Sequence, residues 1–260
     1  MSAPTAADRR PPMTLWRLER ARLVRTHRWL LLAGVYAFLG VLGAVGARYL
    51  NEIIERFGGE MTVVAPEPQP VDGLIQFVSN GTQLGILAVV VVAAAALTLD
   101  AKPELAAFLR TKVSRPVVLL LPAYVVTLLA SVAALALGTG VTWVLTEALI
   151  GPLPAGPVLL GTLLGAVFLA FVLAVVAFVA GFTRSQAATV LGALGALLLL
   201  PAVGVVDAVA VWMPSRLATA VIALVEGEPA SAFLRSTGVS LAATAALLAL
   251  AARRLGQREL

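Results

Sequence analysis

Residues 158–182 read VLLGTLLGAVFLAFVLAVVAFVAGF, with no charged side chain and a single hydroxyl. As a helix this run extends about 37 Å at 1.5 Å per residue, longer than the hydrocarbon core of a bilayer, about 30 Å. Five comparable apolar runs flank it: Trp29 to Tyr49, Gln76 to Leu99, Val117 to Gly138, Ala187 to Val206, and Thr237 to Ala252, the last extending back toward Ala232. The expected fold is therefore an all-α polytopic membrane protein with six transmembrane helices.

Composition points the same way. Of 260 residues, 60% are hydrophobic and only 13% charged, against about 25% charged in a soluble domain. Mean hydropathy is +0.97. Too few polar side chains exist to cover a globule in water. Cysteine is absent, which excludes disulfides and thiolate metal sites. No aqueous domain fits between the runs, whose longest connections are Leu50 to Ile75 and Asp207 to Ser236. The first run follows an arginine-rich segment, and Val45-Gly46-Ala47 resembles a small-residue cleavage site. Five further runs favour an uncleaved start-transfer helix.

Orientation follows from basic residues. With the N-terminus inside, only four of the 19 lysines and arginines fall outside: Arg48, Arg56, Arg216 and Arg235. Six spans with both termini cytoplasmic fit this asymmetry. Residues 104–116, ELAAFLRTKVSRP, then face the cytoplasm between spans two and three. Leu105, Phe108 and Leu109 share one face of a helix, with Glu104, Arg110 and Thr111 elsewhere. Pro103 suits its first turn and Pro116 the start of the next span. Two readings remain: a loop whose basic residues anchor it to anionic lipid, or a short helix that docks a cytoplasmic partner.

An arginine-rich N-terminal segment, six spans, a main cytoplasmic strip between spans two and three, and a basic end Arg253-Arg254-Leu255-Gly256-Gln257-Arg258 together resemble the permease subunit of ABC-2 type transporters. The most specific part is LDAKPELAAFLRTKVSRPVVLLLP. Asp100 takes the family's acidic place, Phe108-Leu109 its apolar pair, and Thr111-Lys112-Val113-Ser114-Arg115 matches its last run without the proline. The family's Gly-Thr pair is absent, with Pro103-Glu104 near that place. The resemblance implies an interfacial elbow helix at Met13 to Arg28 and a coupling helix carrying Glu104, Leu105, Phe108, Leu109 and Arg110. It divides the chain into a cytoplasmic tail and elbow (1–28), a six-span domain (29–252) and a basic cytoplasmic tail (253–260). It also implies a second permease subunit, identical or paralogous, and separate ATPase subunits, with membrane lipid around them and no nucleic acid.

Catalytic chemistry has little to stand on. A P-loop lysine directly follows glycine, but Lys102 follows Ala101 and Lys112 follows Thr111. ATP hydrolysis is expected on a partner, and no cofactor is expected. His27 is the sole histidine, where a catalytic zinc site usually takes three protein ligands. Ser240, in GVSLA, reads as a packing residue because His27 belongs to the first span's cytoplasmic flank. Asn80-Gly81-Thr82 matches a glycosylation sequon, a short match that carries no weight. Ionisable residues within spans would mark an ion path. They are scarce: Glu147 falls near the outer end of span three and Asp207 just past span five.

Packing signals are clearer. Gly161 and Gly165 form a G-x-x-x-G in span four, and Ala188, Gly192 and Ala196 stack small residues in span five. Either internal packing or a subunit contact accounts for them. Pro122 and Pro201 are expected to bend their helices. Thr183, Arg184 and Ser185 lie in a tight cytoplasmic turn that could be a second partner contact. Leu50, Ile53, Ile54 and Phe57 have helical spacing, so that segment could lie on the outer leaflet. The expected function is a permease subunit for a hydrophobic or amphiphilic substrate. The alternative is a non-transporting anchor or assembly factor that recruits a cytoplasmic partner.

Overall fold

The structure is a computed structural model that describes residues 15–57, 67–98, 116–203 and 207–257. Every regular element among them is helical. In order these are α1 (Leu15–Arg25), α2 (Arg28–Phe57), α3 (Pro70–Asn80), a π-helical turn (Gly81–Gly85), α4 (Ile86–Leu97), α5 (Pro116–Leu149), α6 (Ala155–Ala180), α7 (Gln186–Val203), α8 (Asp207–Ala210), α9 (Ala220–Val225) and α10 (Leu234–Gly256). Short 3-10 turns lie at Pro214–Ala218 and Ala230–Phe233.

Among the described residues, five stretches are long and apolar enough to cross a membrane: Arg28–Leu50, Pro70–Leu97, Val117–Leu149, Ala155–Ala180 and Ala230–Gly256. Length and composition thus mark the chain as a multi-pass membrane protein. The expected sixth, from Ala187 to Val206, is shorter: α7 has 18 residues, about 27 Å of helix against a core of about 30 Å. Large apolar side chains cover the outside of the bundle, with Leu198 77% and Leu191 71% exposed. In water that surface is unfavourable; against lipid it is not.

Other expected boundaries move outward for identifiable reasons. α3 starts at Pro70, six residues before Gln76, because the Gln69 N–H donates to the Asp72 carboxylate at 2.7 Å and Pro70 needs no partner for its missing N–H. α5 runs on to Leu149 through Thr139 to Glu147, a stretch in which polar side chains bond within their own helix at Thr142 and Trp143. Thr142 donates to the Gly138 carbonyl at 2.9 Å, as Ser131 does to Thr127. Trp143 donates to the Glu147 carboxylate at 2.8 Å in the last turns. The segment expected to lie on the outer leaflet continues α2 to Phe57. α5 stays helical through Pro122, and α7 through Pro201. Arg253 and Arg254 lie in the last turn of α10.

At one end of the bundle, α1 is tied to the end of α4, where Arg22 donates to the Ala95 carbonyl at 3.1 Å. This caps a helix C-terminus with a cation. His27 takes a left-handed conformation, φ 53°, and turns the chain from α1 into α2. At the same end Arg254 stacks on Phe182, 4.8 Å from its ring centre, so the end of α10 meets the α6–α7 turn. This end carries Arg17, Arg20, Arg22, Arg25, Arg28, Arg184, Arg253 and Arg254 against Glu19. The opposite end, where Pro70 lies beside Gly151, holds Glu52, Glu67, Asp72, Glu147, Glu226 and Glu228 against Arg48, Arg216 and Arg235 among the described side chains. α7 starts at the arginine-rich end and α10 starts at the acidic one.

Between them, residues 207–233 fold back against α6. Leu217, Ala220, Val221, Leu224 and Phe233 are buried there. Arg216 pairs with Glu228 and lies over the Phe233 ring at 5.0 Å. This return segment positions the site described next.

Candidate functional site

The second long helix changes its winding at Gly81–Gly85, where five residues form a π turn between α3 and α4. Such turns widen the helix and are frequent at functional sites. Gly85 packs tightly against its neighbour: a Cβ there would lie 3.1 Å from the hydroxyl and ring of Tyr36. Tyr36 is 2% exposed and packs edge-on against Phe77, with centroids 6.5 Å apart.

Beside this turn opens a cavity of about 500 Å³. The π turn supplies Thr82 and Gln83, α4 supplies Ile86 and Leu87, and α6 supplies Phe168. Leu194, Leu197, Leu198 and Leu200 of α7 form another wall, and Ser215, Ala218 and Thr219 of the return segment close it. A smaller pocket of about 50 Å³ adjoins it, sharing Thr82, Ile86, Phe168 and Ala218 and reaching Tyr36 and Gly165. Counted along α7, Leu194 to Leu200 lie about 12 to 21 Å from the arginine-rich end, so the cavity sits about midway along the bundle. No residue lining the larger cavity carries a formal charge. Its lining is a large apolar surface with a few polar groups, the usual makeup of a small-molecule pocket.

The expected packing glycines each lie against another element. A Cβ on Gly161 would lie 2.3 Å from Val221 Cα, so the glycine lets α9 rest on α6. Gly165 faces Leu135 of α5 and Gly192 faces Val179 of α6. Approaches nearly as close as that at Gly161 escaped the spacing rule. A Cβ on Gly40 would lie 2.5 Å from the Gly138 carbonyl, and one on Gly73 would lie 2.4 Å from Thr146 Oγ1. None of these pairs is spaced as G-x-x-x-G along one helix, so only the fold reveals them.

The turn at Thr183, Arg184 and Ser185 sits at the arginine-rich end, with Arg184 and Ser185 exposed. It is joined to the second long helix through hydroxyls. Thr189 Oγ1 lies 2.9 Å from Thr98 Oγ1, 2.5 Å from Thr183 Oγ1 and 3.0 Å from the Ser185 carbonyl. Glu104, Leu105, Phe108, Leu109 and Arg110 lie outside the described residues. Thr98, the last described residue before them, is thereby tied to the Thr183–Ser185 turn.

Among the described residues no group of three His, Asp or Glu side chains could hold a metal ion. Ser240 is fully buried and donates to the Ser236 carbonyl at 2.7 Å, within its own helix. No protein-family model matches the chain, and no curated protein matches it.

Proposed function

We propose that this chain is the membrane-spanning permease subunit of an ATP-driven transporter of the ABC-2 type, exporting a hydrophobic or amphiphilic substrate. The observation that carries the reading is the uncharged cavity of about 500 Å³ midway along a bundle of membrane-length helices. An anchor protein has no need of such a space; a protein that moves an apolar molecule does.

In this reading the arginine-rich end faces the cytoplasm of a cell membrane, by the positive-inside rule. α1 is the elbow helix. α7 is the fifth of six spans, its short length made up by the return segment beside it. Residues 104–110 form the coupling helix, and Thr183, Arg184 and Ser185 add a second contact. The chain works with a second permease subunit, identical or paralogous, and with cytoplasmic ATPase subunits that hydrolyse the ATP.

The test is gentle detergent extraction of the tagged chain from its native membrane, followed by mass spectrometry of what remains bound. The expected result is a co-purifying protein with a Walker motif. Replacing both apolar strip residues, Phe108→Asp and Leu109→Asp, should remove that protein and abolish ATP-driven transport in reconstituted vesicles while membrane insertion persists. Undiminished transport by the double variant would overturn the coupling role. Absence of any ATPase, under conditions that preserve other membrane complexes, would instead favour a non-transporting anchor.

A further inference from the structure

We propose that the cavity beside the π turn binds an uncharged amphiphile, with an aliphatic body and a hydroxyl, ester or amide head, and that the Gln83 side chain takes the head. The inference deepens the permease reading and rests on it only for the idea that the bound molecule is cargo.

The absence of charge sets the class. A charged head halfway through a bilayer is costly unless a counter-charge or a water-filled path meets it. The larger cavity has no formally charged residue on its wall. Its long apolar side, from Leu194 to Leu200 and Leu87, suits an aliphatic body. A space of about 500 Å³ lies within the range that takes small molecules. It suits a single-chain amphiphile better than a two-chain lipid.

Of the polar wall groups, Thr82 and Thr219 already have partners, while Gln83 and Ser215 have none among the described residues; the head is placed at Gln83 because a primary amide offers both donors and an acceptor where Ser215 has a single hydroxyl. Thr82 Oγ1 already donates to the Ser79 carbonyl at 2.9 Å, and Thr219 Oγ1 to the Arg216 carbonyl at 3.3 Å. The nearby Asn80 amide donates to the Gln76 carbonyl at 2.9 Å. Gln83 has no hydrogen-bond partner among the described residues, although it lines the cavity. A primary amide offers two donors and a two-fold acceptor. In apolar surroundings those groups are costly to leave unmatched. A head that both donates and accepts, or accepts alone, matches them; a purely aliphatic ligand does not.

A route to the site lies on the same helix. Asp72, Gln76, Ser79 and Gln83 recur at spacings of four, three and four, which puts them along one face. They run from the acidic end to the cavity. Exposed Ile75, Leu84 and Leu87 flank them. A polar head can follow this stripe while its chain stays against leucine and lipid.

The test is photolabelling of the full-length chain in membranes with a diazirine-bearing monoacylglycerol, with labelled residues mapped by mass spectrometry. Labelling should saturate and concentrate on the wall residues Thr82, Gln83, Ile86 and Leu87 and on Leu194, Leu197 and Leu200. Unlabelled monoolein should compete at least tenfold better than oleate at pH 8 or a quaternary oleyl ammonium. Gln83→Leu should weaken monoolein competition about fivefold, equivalent to about 1 kcal/mol for one neutral hydrogen bond. Gln83→Asn should restore part of it, and Leu197→Trp, at a half-buried wall position, should fill the cavity and remove the saturable labelling. Diffuse labelling over the lipid-facing surface, equal competition by a charged probe, or unchanged competition in Gln83→Leu would overturn the proposal. No ATPase takes part in this assay. Labelling therefore stands or falls separately from the search for a Walker-motif partner.

Discussion

Gly138 and Gly40 set how closely α5 and α2 cross. A Cβ on Gly138 would come 2.7 Å from the Tyr36 carbonyl oxygen and 2.9 Å from the Phe77 ring, and the first of these is backbone that cannot swing away. Gly138→Val is therefore expected to destabilise the protein by about 1–3 kcal/mol, the usual penalty for overpacking a tight site. Gly140, two residues on, has nothing within 4 Å of the position a Cβ would take. Gly140→Ala should be silent or stabilise by roughly 0.5–1 kcal/mol, since alanine is the better helix former. Melting temperatures of the two variants in one mild detergent check the pair; equal shifts would mean the close crossing is not what the glycine serves. Composition alone cannot tell these two glycines apart, since they stand in the same Gly-Thr-Gly triplet. The pair at Gly161 and Gly165 was legible because its spacing repeats along one helix, whereas Gly40 and Gly138 become partners only when two distant segments meet.

Among the elements, helix positions were readable and their ends were not. Where they are described, the expected runs are helical almost throughout, because an uninterrupted apolar stretch leaves the backbone no other way to satisfy its polar groups in lipid. The ends shifted where polar residues proved compatible with the helix, as with Asp72 closing the start of α3 and Thr142 bonding its own turn. The π turn left no sequence signal beyond its two glycines, and the cavity depends on it. The hydroxyl cluster joining α4 to the α6–α7 turn was likewise invisible, since Thr98 and Thr189 are far apart in sequence. Its proton count is informative. Thr98, Thr183 and Thr189 have one donor each, and Thr189 is within bonding distance of both other hydroxyls and of the Ser185 carbonyl. Thr98 is 4% exposed, so losing its partner leaves a buried hydroxyl unmatched. Thr189→Val is expected to destabilise by about 1–3 kcal/mol. Adding Thr98→Val should recover part of that loss, giving a non-additive double-mutant cycle. Strict additivity in thermal denaturation would show that the two hydroxyls do not act together.

For the molecule as a whole, the question is how many times the chain crosses. Sequence charge asymmetry predicts six crossings with both termini inside, whereas length supports five helices and leaves α7 short. The contacts bear on this. Arg22 at the end of α4 and Arg254 on Phe182 put α1 and the last turn of α10 at the same end of the bundle. An odd number of crossings would separate them. The chain between Ser185 and Leu234 must then span the bundle's height, with α7 providing most of it and the return segment filling the remainder beside α6. The absence of cysteine makes a direct test clean, because a single introduced thiol has no background. Arg20→Cys, Arg184→Cys and Gln257→Cys all replace exposed residues at the arginine-rich end, and Glu226→Cys replaces an exposed residue at the acidic end. In the proposed orientation, a membrane-impermeant maleimide should label Glu226→Cys in intact cells and the other three only in inside-out vesicles. If α7 does not cross, Gln257→Cys will react on the side opposite Arg20→Cys and Arg184→Cys. That outcome would separate the two basic ends, undo the cytoplasmic assignment of the C-terminus, and remove the six-span permease topology with it.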